Sequence, residues 1–212
     1  MRRRNAHRKV RSSWWPWNSR WKRRIATRQR LLYLTFDDGP IPEVTPWVLD
    51  TLKAHGAKAT FFCIGSNIER HPGIFQRLKA EGHAVGNHTY SHISGWSTPR
   101  FTYLKDSLRC QQLTGTRLFR PPYGRITLNQ ARALSTRFQL IFWDVLSEDF
   151  DGRMEARKCL KNVLDRSRPG SIIVFHDSLL AEERVRYALP RVLEHFGAKG
   201  YRFDVLPGGT VV

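Results

Sequence analysis

From residue 31 onward, short apolar or β-branched runs alternate with longer amphipathic stretches, and few folds accommodate that alternation. The strand-like runs are LLYLTF (31–36), KATFFCIG (58–65), HAVGNH (83–88), RLFR (117–120), FQLIFWDV (138–145), SIIVFHD (171–177) and YRFDVL (201–206). Helical patterns fall near 44–55, 72–81, 98–113, 126–136, 153–166 and 181–196. Gly56, Gly82, Gly115, Gly170 and Gly197 or Gly200 stand at the returns from helix to strand, as helix stop signals do. Strands separated by helices of this length predict right-handed βαβ crossovers and a mainly parallel sheet. Seven such strands predict an α/β fold, either a small (β/α) barrel or an open doubly wound sheet.

Composition narrows the class without naming a function. A chain of 212 residues fits one large domain at roughly 150 residues per domain. With 41% hydrophobic and 25% charged residues it is neither collagen-like nor wholly disordered. Cys63, Cys110 and Cys159 form no CxxC pair, so neither a disulfide framework nor a thiolate zinc site is expected. No run approaches the roughly 18 apolar residues of a membrane span.

The formal charge of +18 is unevenly distributed. Residues 1–30 hold twelve Lys or Arg and no Asp or Glu, with Trp14, Trp15, Trp17 and Trp21 among them. This segment lacks the apolar core and small-residue cleavage site of a secretory signal. It is expected to be a flexible basic arm ahead of a domain spanning 31–212, either a solvated tail or a segment in peripheral contact with an anionic membrane surface. Nonspecific contact with a nucleic-acid backbone is the other use of such an arm; no specific nucleic-acid site is expected. The default location is cytoplasmic or membrane-surface, or the cell envelope if the start or the export route is atypical. A monomer is expected.

Ionisable groups recur at the ends of the strand-like runs. Asp37 and Asp38 follow the first, His88 and His92 the third, Arg120 ends the fourth, Asp144 the fifth, and His176 with Asp177 the sixth. Parallel α/β folds build active sites at these strand ends, because the loops there converge on one face. An open sheet concentrates its site at one switch point, so a spread over most strands favours the barrel.

His88 and His92 are four residues apart, the spacing of one helical turn, so both imidazoles can face one metal ion. A carboxylate at Asp37 or Asp38 completes a two-histidine, one-carboxylate set. Adjacent aspartates diverge and repel, which divides the work: one is a ligand, the other a general base. Gly39-Pro40 turns the chain sharply behind them.

In chain order, Thr35-Phe-Asp-Asp-Gly-Pro40, His88-Thr-Tyr-Ser-His92 and Arg120-Pro-Pro-Tyr-Gly124 resemble the first three motifs of the NodB-type polysaccharide deacetylases, carbohydrate esterase family four. The likeness runs from about residue 31 to 206. It implies a deformed (β/α) barrel of about seven parallel strands and a divalent metal, usually zinc, with cobalt or another divalent ion as the alternative. The implied reaction is hydrolysis of N-acetyl groups on N-acetylglucosamine-containing glycans, peptidoglycan or chito-oligosaccharide. On the resemblance, Asp37 is the base and Asp38, His88 and His92 hold the metal. Arg120 orients the base, the Tyr123 backbone N–H holds the oxyanion, and His176 is the acid. An O-acetyl esterase of the xylan type, or a small-amide hydrolase, would share the site. A non-enzymatic binder working through the arm would leave the metal triad unexplained.

The fourth motif departs from the family. An aspartate that would tune the acid histidine is expected three residues before Asp149, where this chain has Leu146. Asp144, two residues earlier and so on the same face of a strand, is expected to substitute for it. Val174 stands for the leucine of a Leu-x-His motif and is expected to line a pocket for the acetyl methyl. Trp96 and Trp143 complete the candidate substrate contacts, Trp96 by stacking on a sugar ring. His83 is expected to be a structural histidine.

Overall fold

The computed structural model describes residues 21–209; Trp14, Trp15, Trp17 and the rest of 1–20 lie outside the described residues. The chain runs through β1 (Trp21–Lys22), β2 (Leu31–Asp37), α1 (Thr45–Ala54), β3 (Ala59–Cys63), α2 (Gly65–Arg70), α3 (Pro72–Ala80) and β4 (Ala84–Asn87). It continues through α4 (Arg100–Thr114), β5 (Leu118–Phe119), a 3-10 turn (Pro122–Gly124), α5 (Leu128–Leu134), β6 (Gln139–Ile141) and β7 (Val145–Leu146). It closes with α6 (Ala156–Arg166), β8 (Ile172–His176), α7 (Glu182–Ala198) and β9 (Arg202–Phe203). The strands lie in the order β1-β6-β5-β4-β3-β2-β8-β7, with β9 beside the start of β2. Every pairing between these strands is parallel. The sheet curls into a deformed (β/α) barrel.

Period-two alternation sorts the side chains of β2. Leu32, Leu34 and Phe36 belong to the layer shared with the helices, packed with Val48, Leu49 and Leu52 of α1 and Leu189 and Val192 of α7. Phe36 stacks on Phe61 at 5.0 Å between centroids and on Phe175 at 6.1 Å. Tyr33 points the other way, into the barrel, with Phe62, Leu118, Ile141, Ile172 and Leu206. Thr35 and Asp37 share that inner face, so the last residue of the strand delivers a carboxylate to the barrel mouth.

Two features depart from the sequence reading. The run 138–145 is not one strand but two, β6 and β7, interrupted at Phe142–Asp144. Phe142 N–H donates to the Lys22 carbonyl at 2.7 Å, whereas Asp144 N–H donates to Ile172 at 3.3 Å. One stretch of chain thereby joins opposite ends of the strand order, which produces the curl.

Residues 21–30 are also not part of a free arm. Trp21 and Lys22 pair with Leu140 and Ile141, and Arg24 forms an antiparallel bridge to Ser171. Ile25 N–H donates to Gly170 O at 2.9 Å, and Ile25 packs against the inner cluster. A Cβ on Gly170 (φ +83°) would fall 1.8 Å from the Ile25 carbonyl, so only glycine fits. The folded unit therefore includes Trp21 onward. No described helix is long and apolar enough to cross a membrane.

Candidate active site

The strand ends converge as a barrel requires. Asp37 and His176 are register partners on the adjacent strands β2 and β8. Arg120, immediately after β5, is fully buried and donates through Nη1 to Asp37 Oδ1 at 2.6 Å and to Thr35 Oγ1 at 2.8 Å. Its guanidinium also lies 4.1 Å from the centre of the Phe62 ring, an apolar floor that prevents water from competing for the pair. Burial pulls the Arg120 pKa below its usual value, and the neighbouring Asp37 charge opposes that pull. Arg120→Met would strand the Asp37 carboxylate without its cation. The expected loss is about 3–5 kcal/mol of folding stability, read by chemical denaturation.

Asp38, His88 and His92 form the second group. His92 Nε2 lies 3.1 Å and His88 Nε2 3.7 Å from Asp38 Oδ1. The three donor atoms lie within 4.8 Å of one another, the one cluster of that kind among the described residues. His88 Nδ1–H donates to the Arg120 carbonyl at 2.8 Å, which leaves Nε2 aimed at Asp38. His92 Nδ1 lies 3.2 Å from the Tyr123 hydroxyl. Two imidazoles with one outer nitrogen each engaged, plus a carboxylate, are a donor set that fits a divalent ion with open positions. Burial would raise the Asp38 pKa, but the His92 hydrogen bond and the charges of His176, His88 and His92 hold it below the usual carboxylate range. Burial lowers His88 to about 4, so its imidazole is neutral at neutral pH and able to ligate. Tyr123→Phe keeps the backbone N–H and removes only this hydroxyl. It is expected to weaken zinc binding about tenfold in competition with a chelator.

The histidine pair is not helical, contrary to the spacing argument. Residues 88–92 form an irregular loop with positive φ at Thr89 (62°) and His92 (54°), yet the two rings meet at 5.2 Å. Hydrogen bonds, not helix geometry, shape this loop. Asn87 Oδ1 accepts from Thr89 N–H at 2.9 Å, and Asp106 of α4 accepts from Tyr90 and Ser91 N–H at 2.8 and 3.0 Å. Asp38 (φ 86°) is held likewise: Asn67 Nδ2 donates to its carbonyl at 2.7 Å. Asp177 receives Gly39 N–H at 3.0 Å and the Thr45 hydroxyl at 2.6 Å, which anchors the turn behind the two aspartates. A Cβ on Gly39 would sit 1.9 Å from Asp177 Oδ2.

The third group is His176. Its Nδ1–H donates to Asp149 Oδ1 at 2.7 Å, and its backbone N–H donates to Asp149 Oδ2 at 2.8 Å. Burial alone would lower the imidazole pKa, but Asp149, with Asp38 and Asp37 behind it, raises it to about 9. The expectation for Asp144 is corrected here. Its carboxylate accepts from the Ser171 hydroxyl and Ile172 N–H, both at 2.9 Å, at the opposite end of β8 from His176. Four residues of strand, about 13 Å, separate the two ends, so Asp144 cannot reach the imidazole. Leu146 pairs in register with Val174, and the two occupy the inner face one step below His176.

The substrate candidates divide. Trp96 is exposed in its loop, with the Arg125 guanidinium 5.2 Å from its ring. Gln130 donates to the carbonyls of Gly95 and Thr98 at 2.9 and 3.0 Å and so fixes that loop. Trp143 is half-buried against Gly124, where a Cβ would fall 2.8 Å from the indole. Val174 is fully buried. Phe150, Leu179 and Leu180, exposed on the His176 side, were not foreseen. His83 is structural: its Nδ1 accepts Ala59 N–H at 3.2 Å, and burial lowers its pKa to about 4.

The family model described as polysaccharide deacetylase matches residues 24–139, more than half of the chain. The chain belongs to the polysaccharide deacetylase family. A peptidoglycan-N-acetylglucosamine deacetylase of Bacillus cereus is 38% identical over 182 residues, covering 82% of this chain and 66% of the relative. A chitooligosaccharide deacetylase of Azorhizobium caulinodans is 34% identical over 206 residues, covering 87% of this chain and 96% of the relative. Among solved structures, a peptidoglycan N-acetylglucosamine deacetylase in complex with an N-oxidanyl-benzamide superposes with a TM-score of 0.81 at 34% identity, covering 89% of this chain and 91% of that one. The match to the family begins at residue 24, within the strap that the fold ties to the barrel.

Proposed function

We propose that this chain is a metal-dependent hydrolase that removes N-acetyl groups from N-acetylglucosamine-containing glycans, peptidoglycan or chito-oligosaccharide. One juxtaposition carries the reading. The Arg120-paired carboxylate of Asp37 adjoins Asp38 of the Asp38–His88–His92 cluster in the chain and is the register partner of His176, whose imidazole is paired with Asp149. Asp38, His88 and His92 would hold a divalent ion, zinc first and cobalt as the alternative. When bound, that ion supplies Lewis-acid polarisation of the acetamide carbonyl and lowers the pKa of nearby water.

The remaining work falls to the chain itself. Arg120 fixes Asp37 through Oδ1, and Asp37 accepts a proton from the attacking water. The Tyr123 backbone N–H, presented by a residue with φ 59°, donates to the oxygen that gains negative charge. Asp149 holds His176 protonated through Nδ1, and His176 Nε2 delivers its proton to the departing amine. Without that proton the amine is a very poor leaving group. The C–N bond breaks, and acetate and a free amine result. Trp96 and Tyr123 on the His92 side, with Phe150 on the His176 side, offer aromatic faces to sugar rings.

The test is acetate release from N-acetylglucosamine oligomers and from peptidoglycan, with chelator-stripped protein and after zinc or cobalt is restored. Metal-restored release supports the reading. Release from acetylated xylan alone would transfer the same site to ester chemistry, and silence on every substrate with zinc bound would overturn it.

A further inference from the structure

The charge of the folded domain is polarised along the barrel axis. In a parallel barrel the mouth gathers the connections that leave strands, and the opposite end gathers those that enter them. Six of the eight connections that enter β2 to β9 carry an exposed cation: Arg30 before β2, Lys58 before β3, Arg117 before β5, Arg137 before β6, Arg168 before β8 and Lys199 before β9. Two acids stand in these connections, Glu81 before β4 and Asp144 before β7; Arg77 neutralises Glu81 at 2.7 Å, and Asp144 is bonded to the Ser171 hydroxyl and Ile172 N–H. Asp37, Asp38, Glu148, Asp149, Asp151 and Asp177 lie at the mouth, and the entry end, where Asp144, Glu194 and Asp204 are also found, keeps an excess of cations. Favourable interaction with helix C-termini does not account for this pattern, because Arg117, Arg137 and Arg168 stand beyond their helices.

The N-terminal segment joins the same end. Residues 1–20 hold seven Lys or Arg, no acid, and Trp14, Trp15 and Trp17. They connect to the fold at Trp21, whose indole N–H donates to Ser135 at the C-terminal end of α5.

We infer that the strand-entry end of the barrel is a docking face for an anionic lipid bilayer, with the active-site mouth turned away from it. The folded face supplies fixed cations. The adjoining segment supplies more of them together with tryptophans, the side chains that favour a membrane–water interface. A bare phosphate polymer would use the cations but has no use for the clustered indoles, so the bilayer is the better match. Docking by this end leaves the mouth open to a polymer on the far side.

The experiment is cosedimentation of the full chain with phosphatidylcholine vesicles and with vesicles that also contain phosphatidylglycerol, at low and high salt. Wild-type protein is expected to partition onto the anionic vesicles only, and less at high salt. The variant Arg28→Glu/Arg117→Glu/Arg137→Glu, in which Arg28 is exposed in the same connection as Arg30, is expected to partition about a hundredfold less, at roughly fivefold for each basic side chain at the surface. Lysine at the same three positions should retain binding, which separates charge from folding. The variant Arg100→Glu/Arg157→Glu/Lys158→Glu makes the same change in net charge at the mouth end and should lose little. Equal loss in both triple variants would reduce the effect to net charge and overturn the oriented face. Failure of wild-type protein to bind anionic vesicles, or tighter binding to duplex DNA at matched salt, would overturn the bilayer as partner.

Discussion

Asp38→Ala is expected to abolish both zinc retention and deacetylation while leaving the chain folded. Asp38 is partly exposed at the mouth, and its carboxylate faces the imidazoles of His88 and His92. Its removal therefore costs little packing, but it removes the one carboxylate of the cluster. Two histidines alone hold a divalent ion poorly. Loss of several kcal/mol of carbonyl polarisation corresponds to a fall in kcat/KM of about a thousandfold or more. Equilibrium dialysis against a weak chelator measures the first effect, acetate release the second, and circular dichroism the fold. Retention of stoichiometric zinc by Asp38→Ala would exclude Asp38 as a ligand. Full activity in the zinc-free variant would exclude metal dependence altogether.

Asp149→Asn is expected to slow the reaction by about a hundredfold or more and to narrow its pH range from the alkaline side. Asp149 is the largest of the influences that raise His176, whose pKa stands at about 9 against an ordinary 6.5. On the proposed mechanism His176 is the general acid and must carry its proton, so activity declines as the pH rises through its pKa. Without the Asp149 charge and hydrogen bond, burial dominates, and that decline moves toward acid. The same linkage governs stability. The contribution of the His176–Asp149 pair is fully present below the unfolded value of about 6.5 and is lost as the pH rises through about 9. Asp149→Asn should therefore flatten the dependence of unfolding free energy on pH across that window. Asp144→Asn serves as the comparison, because its carboxylate bonds Ser171 and Ile172 and not the imidazole. An unchanged alkaline limb in Asp149→Asn, or a shifted one in Asp144→Asn, would reverse the assignment of the tuning carboxylate.

The error over Asp144 is instructive. Asp144 and Leu146 share a face only if residues 138–145 form one straight strand, and the chain breaks that strand at Phe142–Asp144. The histidine spacing misled in a different way. His88 and His92 do converge, but through a loop held by Asn87 and Asp106 rather than through a helical turn. In both places local periodicity was extended across a segment whose shape is set by hydrogen bonds from elsewhere in the chain.

What the residues alone determined is the parallel α/β architecture, the location of ionisable groups at strand ends, and the motif set Asp37-Asp38, His88/His92, Arg120 and His176. These are local properties: hydrophobic period, glycine stops, and reactive side chains at the ends of apolar runs. Tertiary structure decided which carboxylate meets His176, how Asn67, Asp106 and Asp177 hold the site loops, and where the folded unit begins. It also decided that the entry connections place their cations on one end of the barrel. Each of these depends on partners tens of residues apart, separated by 27 residues for His176 and Asp149 and by 138 for Gly39 and Asp177. Such pairings arise only when curling the sheet brings distant strand ends together, and no window along the sequence contains both members.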